Sequence, residues 1–121
     1  MPAPAPRLRL KRAMRIRQRR DFARLRQTGQ RIAVGSLVLN WKELPNNSLS
    51  RMAVITTKKR GPAIIRTRAR RLLRECFRLH QHALRQPVEM VMIARQSLVG
   101  RQYASLERDF LTAMQDAKLI I

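Results

Sequence analysis

The chain has 121 residues, with 27 Lys and Arg against 7 Asp and Glu, for a formal net charge of +20. That length fits one domain, and a hydrophobic content of 45% supports one modest core. No apolar run approaches the roughly 20 residues that span a bilayer, and the Pro-rich start offers no signal-peptide core.

The single cysteine, Cys76, cannot close an internal disulfide, which suits the reducing cytoplasm. Of the 27 basic residues, 22 are arginines, whose guanidinium grips phosphate oxygens bidentately. Charge this one-sided calls for a polyanionic partner, nucleic acid before a membrane surface. Catalysis by the chain itself finds little support. Two-metal nuclease sites need clustered acids, and only seven are present. Glu107 and Asp109 stand two apart on an expected helix and do not face each other, and His80 and His82 share that fault.

Residues 1–15 alternate Pro and then cluster Arg, and read as a flexible basic arm ahead of one α+β domain over 16–121. A first helix is expected over Gln18–Thr28, closed by Gly29 as a C-terminal cap, with Phe22 and Leu25 on one face. The stretch Arg31–Lys42 reads as one strand centred on Leu37-Val38-Leu39-Asn40-Trp41, with the face of Trp41 left open. Pro45-Asn46-Asn47-Ser48 is a turn, and Met52–Thr57 a β-branched strand. Lys58-Lys59-Arg60-Gly61-Pro62 then forms a basic loop.

The longest helix is expected over Ile65–Leu84, where Ala69, Leu72, Leu73, Cys76, Phe77, His80 and Leu84 make a buried stripe. Pro87 ends it. Val88–Ile93 reads as a further strand, and a loop through Gly100 leads to a last amphipathic helix bearing Leu106, Phe110, Ala113, Met114 and Ala117. Cys76 and His80 read as core or boundary residues. Strands flanking a long crossover helix point to a sheet with helices packed on it.

The informative segment is Arg66-Thr67-Arg68-Ala69-Arg70-Arg71-Leu72-Leu73-Arg74-Glu75-Cys76-Phe77-Arg78. Away from the apolar stripe, Arg66, Arg70 and Arg74 follow an i, i+4 row, and Arg71, Arg74 and Arg78 an adjacent one. They span about 18 Å at 1.5 Å per residue. Like charges so spaced destabilise an isolated helix by a few tenths of a kcal/mol per pair. Glu75 is the sole acid in the helix, so salt-bridge decoration explains the row poorly, and phosphate binding explains it better.

This helix resembles the signature helix of the protein subunit of bacterial ribonuclease P. The likeness extends in order to Arg20-Asp21-Phe22 with Gly29, Ser36-Leu37-Val38-Leu39, Arg51 to Lys59, Val91-Met92-Ile93-Ala94-Arg95 and the loop with Tyr103. The resemblance implies a single α-β-β-β-α-β-α domain, a two-layer α+β sandwich with a left-handed β-α-β crossover. It implies a protein without catalytic side chains that assists a catalytic RNA in removing the 5′ leader of precursor tRNA. Magnesium would be held mainly by the RNA and none by the protein alone. The partners would be that RNA and precursor tRNA, with no membrane and no obligate protein partner, in the cytoplasm.

Carried onto this chain, the catalytic-RNA contacts would be Lys58, Lys59, Arg66, Arg68, Arg70, Arg71 and Arg74. The leader cleft would include Phe22, Arg26, Asn40 and Arg95. The chain departs from the family pattern at Thr67, where asparagine is usual, and at Arg26 and Asn40, where rings are common. Leader binding would then lean on charge and hydrogen bonds more than on stacking. A structural RNA-binding protein of ribosomal type is the main rival, followed by a DNA-binding regulator and a protein-only nuclease.

Overall fold

The computed structural model describes residues 10, 12–56, 63–95 and 103–120. A 3₁₀ turn (Arg12–Met14) precedes α1 (Arg19–Thr28), β1 (Gln30–Val34), β2 (Leu37–Glu43) and β3 (Arg51–Ile55). Then come α2 (Ala63–His80), β4 (Val88–Ala94) and α3 (Tyr103–Asp116). This is the α-β-β-β-α-β-α order that the resemblance implies. The strands form one sheet in the order β1-β2-β4-β3. β4 lies antiparallel to β2 and parallel to β3, so β3, α2 and β4 make a β-α-β unit.

β4 is central, with one face in the main core and the other partly under α1, which is why its sequence is apolar almost throughout. Val88, Met90, Met92 and Ala94 point into the main core. There they join Leu37, Leu39, Trp41 and Met52 of the sheet against Leu73 and Phe77 of α2 and Leu106, Phe110 and Met114 of α3. The alternate residue Val91 packs on the opposite face with Leu25 of α1 and Ile16. Helices α2 and α3 thus cover one face, while α1 covers part of the other.

Several sequence expectations change in detail. Arg31–Lys42 is not one strand but a hairpin, broken by a two-residue turn at Gly35-Ser36. Gly35 takes a φ of +53°, which a Gly in a tight hairpin turn adopts without strain. The three strands before α2 implied by the resemblance are therefore correct, and the unbroken strand is not. Trp41 faces the main core beside Leu37 and Leu39, as strand alternation requires.

Gly29 closes α1 through its N–H to the Leu25 carbonyl at 2.9 Å, yet its φ of −83° is extended and not left-handed. Glycine is needed there for close approach: an added Cβ would lie 2.5 Å from the Leu25 carbonyl oxygen and 2.8 Å from that of Trp41. The long helix starts at Ala63 and ends at His80, and a separate 3₁₀ turn, Gln81–Ala83, follows.

Residues 12–15, read from sequence as part of a flexible arm, are laid against β3. Met14 is buried in the main core, Arg15 bridges to Met52, and the Ile16 N–H donates to the Met52 carbonyl at 2.9 Å. The apolar Met14 and Ile16, two apart, anchor the segment among its arginines.

Asp109 of α3 holds the β1–β2 turn, accepting from both the backbone N–H and the hydroxyl of Ser36 at 3.0 Å. A Cβ on Gly35 would fall 2.2 Å from the same carboxylate. Gly35→Ala therefore meets both a left-handed φ and a clash. We expect it to cost at least about 2 kcal/mol in urea unfolding; an unchanged midpoint would show that the turn is not tied to α3.

Candidate nucleic-acid interface

Two polar ties fix α1 across the sheet. At its start, Asp21 and Glu89 are buried carboxylates facing the guanidiniums of Arg24 and Arg51. Arg24 reaches Asp21 at 3.1 Å and Glu89 at 2.8 Å, while Arg51 reaches Asp21 at 3.0 Å and Glu89 at 3.4 Å. Two anions and two cations balance, so the site is neutral as a unit. Truncating one member would leave a buried charge unpaired, which is what makes such clusters sensitive. Arg24 is half-exposed, and its hydrogen bond to Glu89 raises its pKa above the ordinary value.

At the other end of α1, the buried Asn40 amide donates to the Leu25 carbonyl at 3.1 Å and to the Gln30 carbonyl at 2.8 Å. Leu25 lies in the last turn of the helix, and its carbonyl already accepts from the Gly29 N–H; Asn40 supplies a second donor and ties that turn to β2.

Beyond α1 the sheet face stays open as a cleft of about 690 Å³. Its floor is apolar, from Ile55, Val91 and Ile93, with Phe22 and Ala23 from the helix wall. Its rim carries Arg19, Arg26 and Arg31, and Asn40 closes one side. Among the described residues, Phe22 is the one ring lining it.

Of the expected cleft residues, Phe22, Arg26 and Asn40 come together here. Arg95 does not line the cleft; it lies exposed just past β4, and its guanidinium donates to the Gly35 carbonyl at 3.4 Å. Arg19 and Arg31 join the rim without any signal in the linear sequence. Arg31 becomes recognisable once β1 is separated from β2, because its register partner is Asn40.

The second surface is α2. Arg68 and Arg71 are exposed, and Arg66, Arg70, Arg74 and Arg78 are half-buried. Arg70 leans to the sheet edge, donating to Thr56 at 2.9 Å and to Thr67 at 3.2 Å. Thr67 thus makes a contact within the helix. Arg78 is held by Glu75, whose carboxyl it keeps below the usual range. Arg74 is lowered from its ordinary pKa by burial and then by the nearby charges of Arg15 and Arg70. The Arg66 Nε is buried and has no hydrogen-bond partner among the described residues. Lys58 and Lys59 lie outside the described residues.

Several other titratable groups serve the fold. Burial pushes the Cys76 thiol up to about 12, so it stays protonated as a small core side chain. His80 Nε2 and the Tyr103 hydroxyl each lie 3.0 Å from the same Glu107 oxygen, joining α2 to α3. Among the described residues, no group of three or more His, Cys, Asp or Glu could hold a metal ion, and no helix is long and apolar enough to cross a membrane.

The fold and these surfaces define a class: a small basic α+β protein with a half-covered sheet, an arginine-rimmed cleft and an arginine helix. Comparison with known proteins narrows it. The model of the ribonuclease P family matches residues 10–118. The ribonuclease P protein component of Clostridium acetobutylicum is 30% identical over 108 residues, covering 88% of this chain and 91% of that protein. That of Syntrophomonas wolfei is 32% identical over 107 residues, covering 87% of each. The solved ribonuclease P protein of Staphylococcus aureus shares the fold with a TM-score of 0.82 at 24% identity, covering 91% of this chain and all of that one. That of Thermotoga maritima does so at 0.75 and 23%, covering 84% and 96%. This chain belongs to the ribonuclease P protein family.

Asn40 serves the helix end as well as the cleft. Asn40→Ala should destabilise the protein by about 1–2 kcal/mol in denaturant unfolding, because it removes two buried hydrogen bonds, although the Leu25 carbonyl keeps the Gly29 N–H. An unchanged midpoint would make Asn40 a ligand contact alone.

Proposed function

We propose that the chain is the protein component of a bacterial ribonuclease P holoenzyme. The exposed face of α2 binds the catalytic RNA, and the cleft beside α1 takes the single-stranded 5′ leader of precursor tRNA. The observation that carries this reading is the pairing of two differently built surfaces on one small fold. One is a row of guanidiniums on a rigid helix, suited to phosphates at fixed spacing. The other is an apolar floor under an arginine rim, suited to unpaired bases with their backbone alongside.

Arg68 and Arg71, the exposed members of the row, are assigned to RNA phosphates, with Arg66, Arg70 and Arg74 behind them and Lys58 and Lys59 in the preceding loop. In the cleft, Phe22 stacks on a base while Arg19, Arg26 and Arg31 face the backbone; guanidinium planes can stack as well. Arg95, outside the cleft, is assigned to leader phosphates beyond the β1–β2 turn.

Hydrolysis is assigned to the RNA. Magnesium would supply the metal-activated water and charge neutralisation of phosphoryl chemistry. The described residues do not fit that ion: the buried carboxylates Asp21 and Glu89 are both committed to Arg24 and Arg51. The protein instead lowers phosphate repulsion in the folded RNA and favours precursor over mature tRNA, because only the precursor has a leader for the cleft. It acts in the cytoplasm without an obligate protein partner.

The test is cleavage of precursor tRNA at low magnesium, with the same organism's catalytic RNA and with or without protein, and with protein alone as control. Cleavage at the mature 5′ end should require both components. Binding without any change in rate would instead make this a structural RNA-binding protein, and cleavage by protein alone would move the active site onto the chain. Replacing Arg68 and Arg71 with Ala should weaken assembly and lower its salt slope by about one for each phosphate that is no longer neutralised. Phe22→Ala should narrow the preference for precursor over mature tRNA, leaving assembly intact. Equal effects of both changes on both readouts would refute two separate surfaces.

A further inference from the structure

We propose that Arg15 and Arg17 form a second single-strand subsite, bordered by Arg74 of the RNA-binding helix α2, that receives leader nucleotides continuing from the cleft past Phe22. This deepens the function proposed above and rests on it. A groove of about 330 Å³ runs between the segment before α1 and the β3 edge, lined by Arg15, Ile16, Arg17, Phe22, Met52 and Arg74 among others. Phe22 also lines the cleft, so one ring borders both spaces. A third hollow, of about 270 Å³, adjoins the groove and shares Arg15 and Arg74 with it.

The chemistry of the groove matches one occupant. Half-buried Ala53 and Val54 line it beside the almost wholly buried Ile16 and Met52, and three guanidiniums border it. Among the described residues, no carboxylate pairs with Arg15, Arg17 or Arg74. Glu75, the acid of the adjoining hollow, is engaged by Arg78. The crowding is real, since burial and the charges of Arg15 and Arg70 together disfavour the charged form of Arg74. An arrangement that is unfavourable in the free chain becomes favourable when a phosphodiester lies between the guanidiniums. A single strand leaving the cleft is continuous with it.

The experiment uses the assembled holoenzyme and precursor tRNAs whose leaders increase in length. The double variant Arg15→Ala, Arg17→Ala should weaken binding by up to about fivefold for long leaders and by less than about twofold for the shortest. The salt slope for long leaders should fall by about one for every phosphate left without its guanidinium. Lysine at both positions should restore most of the affinity. A weakening that is the same at every leader length would overturn the proposal, because these arginines would then act on the catalytic RNA. Unchanged binding at all lengths would overturn it too, leaving a solvated surface. The wild-type holoenzyme tests the underlying reading separately: if it binds precursor no better than mature tRNA, the leader function itself fails.

Discussion

The position of α1 depends on two carboxylates buried beneath it. Asp21 and Glu89 come from a helix and a central strand, and neither could be buried without a counter-charge. Arg24 and Arg51 provide it, one from the helix and one from the neighbouring strand. The bonds run across the helix–sheet gap and draw the start of α1 down, while Asn40 holds its end. With both ends fixed, the helix covers Val91 and leaves Ile93 and Ile55 in the open cleft. A cleft with one wall so held presents its surface already formed, which limits the ordering a ligand must bring about.

The scarcity of acids gives this arrangement wider meaning. Of seven, Asp21 and Glu89 tie α1 to the sheet, Glu75 holds Arg78, Glu107 joins α2 to α3, and Asp109 holds the hairpin turn. Five of the seven therefore serve internal ties. Among the described residues, no carboxylate pairs with Arg71 or Arg74 of α2 or with Arg19, Arg26 and Arg31 of the cleft rim. Such a surface repels itself until a polyanion arrives, so charge that is unfavourable for the isolated fold becomes a source of affinity.

Much of this was legible in the residues. The i, i+3, i+4 stripe from Ala69 to Phe77 marked a helix with one buried face, and its arginines marked the other. The near-continuous apolar run Val88–Ile93 marked a strand. Other features depended on pairing that a linear pattern does not carry. The hairpin at Gly35-Ser36 was hidden because apolar residues continue on both sides of it, and its anchor, Asp109, lies 73 residues away. The burial of Met14 and Ile16 was masked by the arginines between and around them. The role of Asn40 was also invisible, since its partners, the carbonyls of Leu25 and Gln30, belong to other elements. Arg95 matched by order in the chain, but the cleft ends before its strand does.

The segment before α1 has a consequence for solubility. The sheet order leaves β3 at one edge, and an edge strand with open N–H and C=O groups is a template on which a second chain can add. Here the bridge from Arg15 to Met52 and the Ile16 bond occupy the start of that edge. The exposed guanidiniums of Arg15 and Arg17 stand beside it, so an approaching copy meets like charge before it meets backbone. The same few residues that border the groove thereby keep a highly charged, RNA-free chain from pairing sheet to sheet with its own kind.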